Sequence, residues 1–489
     1  MHEFELKFQV DPERAAAVRV AMRRAAPRRQ RLQAIYFDTP DAALARAGMA
    51  LRLRREGRHW VQTLKAAGEH AAIRLEDNQP VTGTAEPTLQ PDRHAASAVG
   101  QRLLALLAVS GGSLAALYGT DIRRQTVQVE HGGALIEIAF DEGEIRAGDA
   151  SWPVCEVEYE LLSGPAAPLF ELAREGVRSH GLWLDTVSKA ERGMRLARGL
   201  RHGAPVKSRP PMLHTGDGGG AMLRGTLAAC AEQVLGNVAA LAAGSTDAEH
   251  LHQLRVGLRR LRCAAADLAG WCPQAVPAEL PVLVHLFRDL GASRDAEAMA
   301  SGVRPWLEAA GVPAVAGLPA SASAADPRDL VRAAAVQAAL LGLLACVAAD
   351  TERAGADGLA AGAAGAFLRQ RLGSLRAQVL RDADRFPQLA EARQHRVRKR
   401  VKRLRYLVEF ASALFPRKSV ERFLKPLVLA QQRLGEHQDG QMATARYRAA
   451  GEHDPRAAFA AGWLLAHQAE TARACRRALR RLKAVEPFW

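Results

Sequence analysis

The first ten residues, Met1 to Val10, read MHEFELKFQV, and charged and apolar side chains alternate along them. Glu3, Glu5 and Lys7 share one parity, whereas the apolar residues between them share the other. Successive side chains of a β-strand point to opposite faces of a sheet. This stretch therefore predicts a strand with one charged and one apolar face.

The same alternation recurs in four later segments: residues 51–54, 73–76, 136–141 and 156–161. A single strand of this kind is typical of the solvated face of an antiparallel sheet. Five such strands, some rich in carboxylates and others in Arg or Lys, favour a barrel whose charged face points inward. Glutamates at every second position, as at Glu156, Glu158 and Glu160, repel one another unless a cation lies between them.

Charges of both signs on an inward face indicate a polyanionic ligand. Carboxylate oxygens suit Mg²⁺ or Mn²⁺, which commonly binds one or two carboxylates together with substrate phosphates. Arg and Lys side chains bind phosphate oxygens, and Arg can do so in bidentate fashion. The alternation therefore predicts a phosphate chain that is joined to carboxylates by a divalent ion.

The ordered motifs of residues 1–200 resemble those of CYTH domains, the triphosphate tunnel metalloenzymes. The resemblance begins with the opening E-x-E-x-K. It continues through Tyr36-Phe37-Asp38-Thr39-Pro40, Thr63 with Lys65, Arg74 with Glu76, Thr120-Asp121 with Arg124, Glu137 with Asp141 and Gly143, and Ser188-Lys189 with Arg192-Gly193. The resemblance implies an eight-stranded antiparallel β tunnel at the N-terminus.

The resemblance also implies a site. The implied metal ligands are Glu3, Glu5, Asp141, Glu156 and Glu158, with Glu137 and Glu160 as further candidates. The implied catalytic cations, which would also hold the triphosphate, are Lys7, Arg52, Arg54, Lys65 and Lys189, and substrate binding would add Arg74 and Arg124. One or two Mg²⁺ or Mn²⁺ ions would neutralise charge and orient a water for in-line attack. Two alternatives stay open: a structural ion pair of Lys189 with Glu191 or Glu160, and a core role for Tyr36.

The charge is divided unevenly along the chain of 489 residues, which carries 67 Lys plus Arg, 52 Asp plus Glu and a formal net charge of +15. Residues 1–200 hold 26 charges of each sign, so the whole excess lies in the rest. Residues 202–220, HGAPVKSRPPMLHTGDGGG, are rich in Gly and Pro and predict a linker. We therefore expect a tunnel domain over residues 1–201 and a helical domain over residues 221–489.

Composition excludes several classes of protein. With 48% hydrophobic residues the chain can bury sizeable cores, which excludes a disordered protein. The six cysteines lack zinc or disulfide spacing, and the N-terminus lacks the apolar core of a secretion signal. The longest apolar stretch, residues 333–349, is mostly Ala and is interrupted by Gln337, so it falls short of a membrane span. We expect a soluble, cytoplasmic protein.

The second half contains a duplicated motif. Residues 252–262, HQLRVGLRRLR, match residues 395–405, HRVRKRVKRLR, at an offset of 143. A second match, at an offset of 144, joins Leu290, Gly291 and Asp295 to Leu434, Gly435 and Asp439. Two agreements in the same order predict a duplicated helical unit. We expect the two aspartates to be helix-end residues or partners of Arg.

Each copy of the motif places a basic stripe beside an apolar stripe on a helix. The basic stripes are His252, Arg255, Arg259 and Arg262 in the first copy, and His395, Arg398, Lys402 and Arg405 in the second. One basic face alone is usually a solvated surface, but duplication in register favours a binding site for a linear polyanion. Residues 220–489 resemble the CHAD domain, and this resemblance implies binding of inorganic polyphosphate.

Together the two resemblances imply a metal-dependent inorganic triphosphatase, tethered to a domain that binds polyphosphate and could place the protein at polyphosphate granules. A tunnel that acts on a nucleoside or thiamine triphosphate stays open. So does a non-catalytic protein whose tunnel only holds its ligand. Nucleic acid is disfavoured as a partner, because the basic stripes lack interleaved aromatics for base stacking.

Overall fold

The computed structural model describes residues 2–67, 73–83, 86–111, 113–291, 303–312, 325–349 and 358–489. The chain forms two compact units. The first, which we call the sheet unit, contains Met1–Val206, Glu232–His250 and Val331–Ala348. The second, the helical unit, contains Lys207–Ala231, Leu251–Leu330 and Ala349–Trp489. Two segments that follow the predicted linker in the sequence therefore belong to the sheet unit.

Nine strands of the described residues form one antiparallel sheet: β1 His2–Gln9, β2 Arg28–Asp38, β3 Met49–Glu56, β4 His59–Ala67, β5 Ile73–Val81, β6 Ala115–His131, β7 Ala134–Ala147, β8 Ala150–Ser163 and β9 Trp183–Leu184. Their order is β5-β4-β3-β2-β6-β7-β8-β1-β9. A short ladder also joins β5 to β1, with Glu3 opposite Arg74, so the two ends of the run of eight longer strands pair with each other. The predicted antiparallel sheet of eight strands is confirmed, and the two-residue β9 is an addition to it.

The register of the strands gathers the charged residues on one face, which we call the charged face. Residues directly opposite each other in a ladder share a face of the sheet. Lys7 lies opposite Glu158, and Asp141 lies opposite both Glu156 and Arg124. The alternation seen along β1, β6, β7 and β8 therefore continues from each of these strands to the next, because their ladders pair charged positions with one another.

Five helices accompany the strands: α1 Ala15–Arg24, α2 Ala43–Arg46, α3 Ala98–Ser110, α4 Ala167–His180 and α5 Lys189–Ala197. Helices α2 and α3 cover the apolar face of β3 and β4, where Leu51, Leu64 and Leu103 are fully buried. Full burial of such a side chain stabilises the fold by about 1.5–3 kcal/mol. The apolar parity of β3 and β4 thus holds α2 and α3, which leaves the charged parity for the opposite face.

Helix α5 packs on the charged face itself. Its Met194 and Leu196 join an apolar cluster that includes Tyr118 of β6. The helix approaches so closely that a Cβ on Gly193 would lie 2.1 Å from a ring carbon of Tyr118, so this position requires glycine. Ser188 caps the helix by accepting a hydrogen bond from the first turn. The close approach fixes the start of α5 against the strands.

From residue 219 onward, the described residues form ten further α-helices: α6 Gly219–Ala242, α7 Ala248–Leu268, α8 Leu280–Asp289, α9 Arg304–Ala309, α10 Pro327–Arg332, α11 Ala334–Ala348, α12 Ala361–Leu380, α13 Glu391–Ala411, α14 Arg417–Gly451 and α15 Pro455–Lys483. The predicted helical region is confirmed. Within the described ranges, no helix is both long and apolar enough to cross a membrane.

Helices α7 and α13 carry the two copies of the motif, and both bury the predicted apolar stripe. The buried residues are Leu251, Leu254, Leu258 and Leu261 on α7, and Val397, Val401, Leu404 and Val408 on α13. A buried stripe of this width orients each helix, and the basic stripe lies beside it. In the first copy Arg255 is itself buried, whereas Arg259 and Arg262 are partly exposed.

Two reciprocal ion pairs join α7 to α13 within the helical unit. Arg260 of α7 pairs with Glu409 of α13 at 2.5 Å, and Arg403 of α13 pairs with Asp267 of α7 at 2.5 Å. Arg260 and Arg403 occupy equivalent positions of the two motifs. The second of the two consecutive basic residues in each motif therefore serves packing between the copies and lies apart from the basic stripe.

Candidate metal and phosphate site

Three carboxylates gather on the charged face where β7 and β8 run side by side. One oxygen each of Asp141, Glu156 and Glu158 lies within 4.8 Å of the others, and Asp141 and Glu156 are 0% exposed. Lys189 Nζ lies 2.7 Å from both Asp141 and Glu158 and also pairs with Glu156. Arg124 donates two hydrogen bonds of 2.7 Å to Asp141 and also pairs with Glu158. Two cations thus hold together three carboxylates that would otherwise repel one another.

Neighbouring cations keep Glu156 and Glu158 ionised in spite of their burial. At Glu156, burial favours the neutral acid, but Arg192 and Lys189 outweigh it and lower the pKa to about 2. Lys189 and Arg124 likewise overcome burial and hold the pKa of Glu158 well below its ordinary range. Burial opposes the charge on Lys189, yet its carboxylate neighbours raise its pKa above the ordinary value. Glu156, Glu158 and Lys189 are therefore charged at neutral pH.

Two residues that sequence analysis did not assign to the site complete the surroundings of Glu156. Arg192, three residues after Lys189 on α5, is 3% exposed and pairs with Glu156. Gln9 donates hydrogen bonds of 3.1 Å to Glu156 and 2.8 Å to Asp185. Both carried a signal in the sequence, because Gln9 continues the charged parity of β1 and Arg192 shares a helical face with Lys189.

A second row of carboxylates crosses the same face. Glu160 of β8 lies opposite Glu5 of β1 and Glu137 of β7. Burial and the negative charge of Glu5 raise the pKa of Glu160 above its ordinary value, while Lys65 opposes this rise. Carboxylates that repel one another in this way are stabilised by a cation placed between them.

Strand β3 contributes two arginines to the charged face. Arg52 donates a hydrogen bond of 3.0 Å to the hydroxyl of Tyr36, whose ring stacks on Tyr118 at 4.7 Å, and Arg54 pairs with Glu56. The Nε atoms of Arg52 and Arg54 are buried and, as far as the structure describes the chain, have no hydrogen-bond partner. Buried donors without an acceptor are costly, so this pair suits an anionic ligand.

The two remaining predicted lysines lie on β1 and β4. Lys7 is buried and donates to the backbone carbonyl of Val187, just before α5. Lys65 Nζ lies 2.7 Å from Glu76 of β5. Positive charge therefore extends from the carboxylate cluster along β1, β3 and β4.

In the helical unit, the first basic stripe is arranged around one aromatic ring. The guanidinium carbons of Arg255, Arg259 and Arg262 lie 4.9, 5.1 and 5.5 Å from the ring centroid of Phe287 on α8. A guanidinium over a ring face is attracted by the ring quadrupole. Phe287 therefore gathers three cations at one place, and Arg255 also donates a hydrogen bond of 3.3 Å to its backbone carbonyl. Sequence analysis did not single this phenylalanine out. The leading His252 of this stripe is half-buried.

The second basic stripe is held by polar partners on α13 and α14. His395 Nδ1 lies 2.9 Å from Gln438, and Arg398 lies 3.6 Å from Asp439. Arg405 pairs with Glu409 at 2.6 Å. The expectation that Asp439 is a partner of Arg is confirmed. Arg398 and Arg405 of this stripe thus share their charge with neighbouring carboxylates.

Two family models match the chain. Residues 1–194 match the CYTH domain, and residues 225–448 match the CHAD domain. The chain combines a CYTH domain with a CHAD domain. Both resemblances inferred from the ordered motifs are therefore confirmed.

Individual relatives match parts of the chain. This chain is 32% identical to a protein named inorganic triphosphatase from Haemophilus influenzae. The match extends over 161 residues, which are 32% of this chain and 44% of the relative. The chain thus spans less than half the length of this curated relative. The solved CHAD domain from the plant Ricinus communis is 32% identical, with 58% of this chain and 99% of that one covered and a TM-score of 0.44. HpAC1 from Hippeastrum, described by a dominant triphosphatase activity, is 20% identical, with 41% and 97% covered and a TM-score of 0.32.

Within the CYTH domain, most of the predicted site residues lie on the charged face or beside it: Glu5, Lys7, Arg52, Arg54, Lys65, Arg124, Asp141, Glu156, Glu158 and Lys189. Lys189 forms ion pairs with the three clustered carboxylates, whereas the partners considered from the sequence were Glu191 and Glu160. The side chains of Glu3 and Arg74 lie outside the described residues, as does Asp295 in the CHAD domain.

Proposed function

We propose that the CYTH domain hydrolyses inorganic triphosphate to diphosphate and phosphate with Mg²⁺ or Mn²⁺ as its cofactor. The observation that carries the proposal is the charged face, where a buried cluster of carboxylates lies beside Arg and Lys side chains with donors left for an anion. The name of the Haemophilus relative supports the same activity.

The carboxylates fit a divalent ion. Asp141, Glu156 and Glu158 offer hard oxygen donors within 4.8 Å of one another, and Glu5 lies in the neighbouring row. Such oxygens suit Mg²⁺ and Mn²⁺, which usually share their coordination with substrate phosphates. When bound, the ion supplies charge neutralisation and a polarised water. Lys189 contacts the same carboxylates, so it would lie next to phosphates that share the ion.

The side chains of β1, β3 and β4 would bind and orient the substrate. The buried Nε–H groups of Arg52 and Arg54 would donate to phosphate oxygens. Lys7 and Lys65 would add charge along the same chain of phosphates. Phosphoryl transfer needs little covalent chemistry from a protein, because positioning and stabilisation of the charge on the leaving group account for most of catalysis.

Phosphate release from a panel of substrates tests this proposal. Triphosphate, ATP and thiamine triphosphate are compared with Mg²⁺, with Mn²⁺ and with EDTA. We expect triphosphate to be the preferred substrate and release to stop in EDTA. If ATP or thiamine triphosphate were hydrolysed faster than triphosphate, that compound would be assigned as the substrate instead. Formation of cyclic AMP without phosphate release would overturn hydrolysis.

A matched pair of variants tests the site. Glu158→Gln removes one charge from the carboxylate cluster and should lower kcat/KM by about 100-fold or more. Glu144→Gln removes the same charge from the opposite parity of β7, where Glu144 pairs with Arg146, and should leave turnover unchanged. Equal activity of the two variants would remove Glu158 from the site.

We further propose that the CHAD domain binds inorganic polyphosphate through its two basic stripes. Arg259 and Arg262 support this proposal, since both lie over the ring of Phe287, and a contact with a ring leaves the guanidinium its positive charge. Such binding would bring the protein to polyphosphate granules. If the chain bound polyphosphate but hydrolysed no triphosphate, the result would favour the alternative of a non-catalytic binding protein.

A further inference from the structure

Helix α11 carries one polar side chain within a buried apolar surface. Gln337 interrupts the longest apolar stretch of the sequence, and it is 0% exposed, as are Leu340, Leu341 and Leu343. The helix belongs to the sheet unit and packs against α4 and β9. Burial of an amide is costly unless it is hydrogen-bonded, so the position of Gln337 calls for a structural reason.

The amide of Gln337 is engaged at both ends. Its Oε1 accepts a hydrogen bond of 2.7 Å from the backbone N–H of Leu184, and its Nε2 donates one of 2.6 Å to the carbonyl of Val331. Leu184 is the second residue of β9 and lies opposite Phe8 of β1. Gln337 thus supplies an acceptor to a strand of only two residues.

A continuous set of contacts leads from β9 to the carboxylate cluster. The N–H of Asp185 donates to the carbonyl of Lys7 at 2.9 Å, and its side chain accepts from the N–H of Val187 at 2.8 Å. The ammonium of Lys7 donates to the carbonyl of Val187. Ser188 then caps α5, whose first residue is Lys189. The lysine that contacts the cluster, Lys189, is therefore five positions after Leu184, which bonds to Gln337.

We infer that Gln337 is a positioning residue of the triphosphate site: it fixes β9 and, through β9, holds Lys7 and Lys189 against the carboxylates. The inference rests on the proposed triphosphatase function. Gln337 lies outside residues 1–194, which match the CYTH domain, and inside residues 225–448, which match the CHAD domain. The site of one domain thus depends on a side chain from the sequence of the other.

The test uses the full chain and the variant Gln337→Met, which keeps the length of the side chain and removes both hydrogen bonds. Since a displacement of about 1 Å can cost as much as 100-fold in rate, we expect kcat for triphosphate to fall by about tenfold or more. The matched control is Leu341→Ala on the same helix. Its cavity should lower the melting temperature at least as much and leave kcat unchanged.

The variant Gln337→Glu adds a readout that a purely structural role would not move. The new carboxyl accepts from Leu184 and, when protonated, also donates to Val331. Burial raises the pKa of such a carboxyl. The ratio of its kcat to that of the wild type should therefore fall as pH rises, whereas the ratio for Gln337→Met should stay constant.

Three results would overturn the inference: unchanged kcat in Gln337→Met, losses of kcat that follow melting temperature equally in Gln337→Met and Leu341→Ala, or a flat pH ratio for Gln337→Glu. If Gln337→Met does not fold, the pH dependence of kcat in Gln337→Glu is sufficient to test the inference.

A wild-type chain without turnover would overturn the proposed function instead. In that case the affinity for tripolyphosphate in the presence of Mg²⁺ is measured by calorimetry in the wild type and in Gln337→Met. The inference would be overturned if the two affinities were equal or if neither protein bound tripolyphosphate.

Discussion

Tyr36 lies where the apolar cluster beneath α5 meets the charged face. Its ring stacks on Tyr118, and its hydroxyl accepts a hydrogen bond from Arg52. Burial disfavours the phenolate, but the charge of Arg52 outweighs burial and lowers the pKa of Tyr36 below its ordinary value. The sequence left open a core or a site role for this residue, and the contacts show that one side chain takes part in both environments.

The variant Tyr36→Phe should weaken substrate binding with little effect on the fold. It keeps the stacked ring and removes the hydroxyl that orients Arg52, so we expect KM for triphosphate to rise several-fold and the free energy of unfolding to fall by about 1 kcal/mol. Steady-state kinetics and thermal melts measure the two effects. Tyr118→Phe is the matched control, because it leaves the bond between Arg52 and Tyr36 in place. An equal rise of KM in both variants would contradict the prediction.

At this scale, the sequence predicts which residues share a face but not which atoms touch. The period of two places Lys7, Arg124 and Glu158 on one face because alternation is a property of the strand backbone. The position of Lys189 depends on where α5 begins, which follows from β9 and from Gln337, 148 positions further along the chain. Contacts of such long range leave no local pattern in the sequence.

At the scale of elements, α13, α14 and α15 meet at a buried histidine. His437 of α14 lies 2.7 Å from the hydroxyl of Thr471 on α15 and 3.0 Å from the amide oxygen of Gln394 on α13. Gln441 donates to the same oxygen of Gln394, and the ring of Phe386 lies 5.7 Å from the imidazole at an angle of 68°. All these groups are neutral, and burial lowers the pKa of His437 below its ordinary value.

This arrangement predicts that the helical unit loses stability in mild acid. In the unfolded chain a histidine titrates at about pH 6.5, and in the folded chain His437 titrates lower. The unfolded state therefore binds more protons between these two values, so the contribution of His437 is fully present above pH 6.5 and is lost as pH falls towards the folded pKa. Thermal melts between pH 5 and 7.5 measure the loss, and His437→Gln should flatten it. An unchanged slope in His437→Gln would contradict the prediction.

The duplicated motif shows the same limit of sequence analysis for whole helices. Helical periodicity predicts the apolar and basic stripes of α7 and α13, since both follow from one helix alone. It does not predict that Arg260 and Arg403 pair across the two copies, because their partners Glu409 and Asp267 lie on the other helix. Nor does it select Phe287, which α8 brings to the first stripe.

At the scale of the whole molecule, the net charge of +15 separates two modes of anion binding. Residues 1–200 are neutral overall because their cations are matched by carboxylates that fit a divalent ion, and the excess of positive charge lies in the rest of the chain. Phosphates on the charged face should therefore need metal, whereas phosphates on the basic stripes should need cations alone. Residues 232–250 and 331–348 belong to the sheet unit, so the full chain is the right material for a test.

We expect the full chain to bind polyphosphate equally well in Mg²⁺ and in EDTA, and to lose affinity steeply with salt, because exposed charges are screened beyond about 10 Å at 0.1 M ionic strength. Binding is measured by titration, alongside triphosphate turnover. The double variant Arg259→Gln/Arg262→Gln should weaken polyphosphate binding and leave triphosphate turnover unchanged. Glu158→Gln should lower triphosphate turnover and leave polyphosphate binding unchanged. Polyphosphate binding that requires Mg²⁺, or a double variant that loses both activities, would show that the two parts of the chain do not bind phosphate independently.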